Sequence, residues 1–376
     1  MGTIQSSSLA EHFGEIEDPR VGYLVEHKLM DLLMISICAV IGGADNWVEV
    51  EQFGREKQTW FEGFLDLEQG IPSHDTIGRV FSLIDGVQFQ ECFVNWMRSV
   101  YTATEGEVVP IDGKTLRRSH NKRAGQKAIH MVSAWASHNR MILGQIKVAE
   151  KSNEITAIPA LLELLDLRGC IVTIDAMGCQ KEIAAKIIDG GADYVLALKG
   201  NQSGLLEDVQ ELFVYAEELG FADCDYYKQV EKGHGRIEIR ECWTISKPEF
   251  LAFLRNGTDW RSLQSIVLVK SERRNQGQSS VECRYFISSL PSDAKRMLNA
   301  ARRHWSIENE AFWTLDVAFN EDQSRSRTKN SAQNFAVLRH IALNLLKQET
   351  TAKCGIKAKR KKAGWGEDYL LKVLLG

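Results

Sequence analysis

Through residues 1–105 apolar positions recur at helical spacing, and beyond them they gather into short unbroken runs. His27 to Val40 and Trp47 to Lys57 carry the helical rhythm, the second with charges set between Val and Phe. In Ile71 to Phe81, IPSHDTIGRVF, Ser73 stands as an N-cap ahead of an apolar stripe of Ile77, Val80, Phe81 and Ile84. Short helices with such a start can include a helix-turn-helix or form a packing domain with no DNA contact. The pattern supports both equally.

From Glu107 the runs predict strands. Val108 to Ile111 is the first; Ala128 to Ala136 and Met141 to Val148 follow, joined by the turn His138-Asn139-Arg140. A helix is expected through Ile155 to Leu165 and a fourth strand over Cys170 to Asp175. Another helix covers Glu182 to Ile188, closed by Gly190-Gly191, and a fifth strand covers Asp193 to Lys199. The first three strands can form an antiparallel meander, and the next two join through helices as parallel neighbours. That order predicts an α/β, ribonuclease-H-like core. A β-rich stretch, with strands at Arg236 to Ile245, Ser265 to Lys270 and Val281 to Ser288, interrupts it before helical texture resumes at Ala294 and at Ser331 to Lys347. The expected organisation is a helical N-terminal domain (1–105) and the first part of the core (106–200). A β-rich insertion (201–295), a helical completion of the core (296–350) and a basic tail (351–376) follow.

Composition narrows this little. The 376 residues are 44% hydrophobic and 26% charged, as in an ordinary globular protein, and the net charge of -4 means that any basic surface is local. The eight cysteines contain no C-x-x-C pair, which offers neither a structural zinc site nor a disulfide framework. No signal-peptide pattern opens the sequence, and the apolar stretch Leu32 to Ala44 is shorter than the roughly 20 residues of a membrane span.

The candidate chemistry lies where strands end. Asp112 and Asp175 each follow an apolar run and precede small residues, Gly113 in one case and Ala176-Met177-Gly178 in the other. Each alone is an ordinary turn or cap residue. Two at neighbouring strand ends suit hard divalent cations, which prefer oxygen ligands. A third carboxylate is expected from the helix through Ala301 to Asp316. There Trp305, Glu308, Phe312, Leu315 and Phe319 share one face of a regular helix. Glu308 inside that apolar stripe is costly unless paired or bound to metal, whereas Glu310 reads as solvated and Asp316 is the runner-up.

Four stretches carry a resemblance: Asp112 to Arg117 (DGKTLR), Thr173 to Gln180 (TIDAMGCQ), Leu198 to Gln202 (LKGNQ) and His304 to Asn309 (HWSIEN). With Pro72 to Thr76, they resemble the DDE transposases of bacterial insertion sequences, the H-repeat-associated type in particular, over about residues 10–350. The resemblance implies a DDE catalytic core with metal-binding triad Asp112, Asp175 and Glu308, holding two Mg2+ ions for which Mn2+ can substitute. It implies double-stranded DNA, as element ends and target, for substrate, a homodimer on that DNA, and a cytoplasmic bacterial setting without membrane. Related transposases carry a tyrosine, an arginine and a lysine around the glutamate. Here those positions hold Ala301, His304 and Leu315, so His304 remains a candidate for a phosphate contact and Leu315 does not; Arg302, Arg303, Arg325 and Arg327 stand near enough in sequence to substitute.

The basic run beyond Asp112 supplies the candidate DNA contacts: Lys114, Arg117, Arg118, Lys122, Arg123 and Lys127. In His234 to Arg240 the alternation places Ile237 and Ile239 on a buried strand face and the charges on an open one. The tail Lys357 to Lys362 reads as non-specific DNA affinity or a solvated end. The expected reaction is cleavage at insertion-sequence ends followed by strand transfer. The alternatives are a metal-dependent nuclease that cuts without joining and a catalytically silent DNA-binding remnant.

Overall fold

The computed structural model describes residues 8–375, apart from 23–24, 121–124, 126, 150–151, 234 and 276–277. Lys122, Arg123 and His234 therefore lie outside the described residues. Among the described residues six α-helices come first: α1 (Ser8–Phe13), α2 (Leu29–Ile41), α3 (Trp47–Glu56), α4 (Gln58–Glu62), α5 (His74–Leu83) and α6 (Gly86–Val100). Ser73 caps α5 as its sequence predicts, its hydroxyl accepting from the Thr76 N–H. The α2 helix is apolar all round and buried on almost every side, from Asp31 through Ile41.

The central elements follow in the expected order. They are β1 (Val108–Thr115), β2 (His130–Ala136), β3 (Met141–Lys147), α7 (Glu154–Leu164), β4 (Ile171–Ile174), α8 (Lys181–Asp189) and β5 (Asp193–Leu198). β1, β2 and β3 form an antiparallel meander, closed at Arg140 by a residue in the left-handed region (φ 58°). β4 and β5 lie parallel to β1 on its other side.

The stretch expected to interrupt the core instead extends its sheet. After α9 (Ser203–Glu218) come β6 (Asp225–Gly233), β7 (Arg236–Ile245), the short α10 (Pro248–Leu251), β8 (Ser265–Asn275) and β9 (Gln278–Ser288). β9 pairs antiparallel with β5, giving one nine-stranded sheet in the order β3-β2-β1-β4-β5-β9-β8-β7-β6. The faces of β7 are reversed from expectation. Glu238 is buried and Ile237 and Ile239 only half-buried, because Arg236, Arg240 and Arg273 neutralise Glu238.

α11 (Ala294–His304) leads into a wide π turn (Ile307–Phe312) and then α12 (Trp313–Phe319). α13 (Ser331–Gln348) is buried along nearly its whole length against α2, α5, α6 and β3, so the N-terminal helices and the sheet share one apolar cluster. The C-terminal stretch is no loose basic tail. It forms α14 (Ile356–Trp365) and α15 (Glu367–Leu375), with Lys359 and Arg360 buried. Both ammonium and guanidinium cap backbone: Lys359 Nζ donates to the Leu346 carbonyl, and Arg360 donates to those of Val40 and Ala44 and to Asp45. Among the described residues no helix is long and apolar enough to cross a membrane.

Candidate active site

The two aspartates are brought side by side by strand register. β1 and β4 are parallel with Ile111 opposite Ile174, which leaves Asp112 beside Asp175 where the β1–β4 pairing ends. β1 itself does not end at Ile111 as expected but runs on to Thr115, held by β2, so Asp112 lies inside the strand. Each carboxylate is oriented by backbone. Asp112 Oδ1 accepts the Gly113 N–H at 2.8 Å, and Asp175 Oδ1 caps a single 3-10 turn through the N–H groups of Met177 (3.0 Å) and Gly178 (3.4 Å).

Glu308 completes the group, but not from the position a regular helix gives it. The Trp313 N–H bonds back five residues to the Glu308 carbonyl, so the turn from Ile307 to Phe312 holds one residue more than an α turn. The extra residue rotates the stripe. Ile307, Ala311, Phe312, Leu315 and Phe319 are buried, whereas Trp305 and Glu308 are exposed to a cleft. The expected apolar surroundings of Glu308 are thus corrected by the π turn, which aims its carboxylate outward.

Asp112, Asp175 and Glu308 line one cleft of about 440 Å³, together with Lys199, Arg284 and His304. Burial pushes the Asp112 carboxyl up to about 7; the charges of Glu154, Asp175 and Glu308 push the same way, against the Gly113 N–H. Among the described residues no three His, Cys, Asp or Glu side chains stand close enough together to hold a metal ion as placed. The donor type nevertheless fits: hard carboxylate oxygens from two adjacent strands and one helical turn face a single cleft.

His304 stands behind Asp175, its Nδ1 3.1 Å from Thr173 Oγ1. Burial lowers its pKa, and nearby Asp175 opposes that. Ala301 and Leu315 are buried packing residues. Of the candidate DNA contacts, Arg117 projects with its side chain 78% exposed, 3.1 Å from Asp322, and Lys127 is exposed. Lys114 departs from expectation. Its side chain is 12% exposed and its ammonium turns inward to Asp316 (2.6 Å) and Glu321 (2.8 Å), because those two acids lie beneath the strand. This removes Asp316 as a ligand candidate. Glu310, expected to be solvated, is half-buried and paired with Arg140 at 3.1 Å. Arg302 is engaged by Gln229 and Glu231, and Arg303 by the Ser137 carbonyl. Arg327 donates to the Arg118 carbonyl at 2.9 Å, and Arg325 is exposed.

Two residues beside Asp112 have no counterpart in the sequence expectations. His130 Nε2 lies 2.5 Å from Glu154 Oε1, and His130 Nδ1 lies 2.9 Å from Thr115 Oγ1. The pair packs directly on Gly113, where any Cβ would collide with both. The meander held the signal for His130, since antiparallel pairing sets it opposite Thr115. Glu154, in the first turn of α7, has no signal short of the folded chain.

Residues 103–345 match the family model described as "Transposase DDE domain", and residues 10–97 match the one described as "DDE_Tnp_1-associated". The chain is 42% identical over 377 residues to the "H repeat-associated putative transposase YhhI" of Escherichia coli strain K12, covering 99% of both. It is 44% identical over 374 residues to the "Putative transposase YncI" of Escherichia coli O157:H7, covering 98% of this chain and 94% of that one. Among solved structures, a piggyBac transposase synaptic complex with hairpin DNA aligns over 99% of this chain and 78% of that one, at 8% identity and a TM-score of 0.44, too low to carry an argument.

Proposed function

Because the chain belongs to the bacterial DDE transposases of the H-repeat-associated type, we propose that Asp112, Asp175 and Glu308 carry out metal-dependent phosphodiester cleavage at insertion-sequence ends and transfer of the freed strand to target DNA. The observation that carries this reading is the register that sets Asp112 on β1 beside Asp175 just after parallel β4, with Glu308 lining the same cleft. The 3-2-1-4-5 order of the first five strands supports a ribonuclease-H-like core beneath it. The three carboxylates would hold divalent cations, two Mg2+ in this reading. Bound there, such ions supply charge stabilisation to the entering and leaving oxygens.

In the first step a water oxygen attacks the phosphorus at the element end. The bond to the 3′ oxygen breaks; one proton of the water ends on that oxygen by way of solvent and the other is released, leaving a 3′-hydroxyl and a 5′-phosphate. In the second step that 3′-hydroxyl attacks a target phosphorus and displaces another 3′ oxygen, so no covalent protein intermediate forms. Lys199, Arg284 and His304 line the cleft where the phosphate would lie, and Arg117, Arg118 and Lys127 lie along the β1–β2 connection that would follow the backbone. Joining two ends to one target calls for two chains on the DNA. The test is incubation of labelled DNA bearing the element's own ends with Mg2+ or Mn2+. Joined products support the full reading; cutting without joining reduces it to a nuclease, and binding without cutting to a silent remnant.

A further inference from the structure

We propose that Lys114 is a positioning residue: its buried ammonium clamps the strand carrying Asp112 to the helix carrying Glu308 and so sets the gap between those carboxylates. This rests on the proposed role of the two carboxylates in the reaction.

The argument begins with two periodicities. Asp112 and Lys114 are two apart on β1 and share a face of the strand, about 6.6 Å from each other along it. On the facing element Phe312 closes the π turn that begins beside Glu308, and Asp316 stands one α-helical turn, about 6 Å, beyond Phe312. Asp112 feels the charge of Glu308, and one step on Lys114 Nζ meets the Phe312 carbonyl at 3.4 Å and Asp316 Oδ1 at 2.6 Å. The clamp therefore sits one turn beyond the carboxylate that it positions. It also closes on the last residue of the π turn, where the hydrogen bonding departs from the α pattern.

The third acceptor anchors it. Glu321, 2% exposed, takes Lys114 Nζ at 2.8 Å, while its other oxygen has no hydrogen bond and lies 3.7 Å from Arg339 Nη1. Nε and Nη2 of Arg339 are themselves without partners among the described residues. Glu321 thus depends on Lys114 for close compensation: burial is the largest single influence on its carboxyl and pushes it up, but Lys114, Arg339 and His340 together hold it below the usual range. An ammonium has three N–H donors, and Phe312, Asp316 and Glu321 use all three. None is left for a DNA phosphate.

The test measures Mn2+ binding to the full chain by electron paramagnetic resonance, without DNA, for wild type, Asp112→Ala, Lys114→Met, Lys114→Arg and Asp316→Asn. Hydrogen exchange at residues 305–319 and the salt slope of DNA binding are measured alongside. Asp316→Asn guards against misfolding, since it spares the Glu321 bond. We expect Lys114→Met and Asp316→Asn to weaken Asp112-dependent Mn2+ binding about 10-fold, as loss of a residue supporting a metal ligand does. Lys114→Arg should recover part of it, and the salt slope should stay unchanged. Wild-type Mn2+ affinity in Lys114→Met overturns the clamp, as does a flattened salt slope, which would make Lys114 a phosphate contact. If wild-type binding does not depend on Asp112, the metal reading fails instead. Hydrogen exchange then decides the clamp: faster exchange at 305–319 in Lys114→Met sustains it, and unchanged exchange overturns it.

Discussion

Gly113 shows how closely the candidate site is packed at single residues. A methyl group there would overlap the carboxylate of Glu154 and the ring of His130, both from elements that support β1. Gly113→Ala should therefore cost about 1–3 kcal/mol, as overpacking does, and displace Asp112; thermal melting and Mn2+ binding measure the two effects. Arg117 and Lys114 make opposite predictions although three positions apart. Arg117→Ala should lower the log-log salt slope of DNA binding by about 0.9, the value of one phosphate, whereas Lys114→Ala should leave it alone. Buried His340 supplies a pH test. Burial holds its pKa down to about 4, against the opposing charge of Glu321, so between about 6.5 and 4 the unfolded chain takes up a proton that the folded chain refuses. Stability is full above that window and falls as pH drops through it. Melting temperatures across pH 7 to 4 should show the decline, and His340→Leu should flatten it.

At the scale of elements, the π turn decides where Glu308 points. Deleting exposed Asn309 should restore a regular α turn and swing Glu308 by about 100° relative to the buried stripe of Phe312, Leu315 and Phe319. Circular dichroism should stay native while Asp112-dependent Mn2+ binding is lost; retained binding would show that the turn does not matter. This is also where sequence reasoning reached its limit. The apolar runs leading into Asp112 and Asp175 are legible because a buried strand is a continuous apolar run, whereas the register that pairs them, and the continuation of β1 to Thr115, come only from the folded sheet. The Ser73 cap and the Glu308 helix are legible for similar reasons. One extra residue in a helical turn leaves no mark in the pattern, so Glu308 was expected within the apolar stripe and lies outside it. Lys114 looked like a phosphate contact because its acidic partners stand about 200 positions away in the chain.

The whole molecule is tied together by buried charge as well as by apolar contact. Arg360 joins α14 to α2 and α12 through Asp45 and the carbonyls of Val40, Ala44 and Ala318. Arg360→Ala should cost about 3–5 kcal/mol, as a broken buried ion pair does, read from denaturant unfolding. Neither this packing nor the union of β6 to β9 with the core sheet was legible, because a run of lysines and a set of alternating strands look the same loose or docked. What the assembled molecule is built to do rests on its three cleft carboxylates. The most direct measurement is single-turnover cleavage of an element end in Mg2+, with DNA binding followed in the same samples, for wild type, Asp112→Ala, Asp175→Ala and Glu308→Ala. The account predicts that each substitution abolishes cleavage while leaving DNA affinity within about two-fold. Cleavage surviving in any one of them, with DNA still bound, would contradict it.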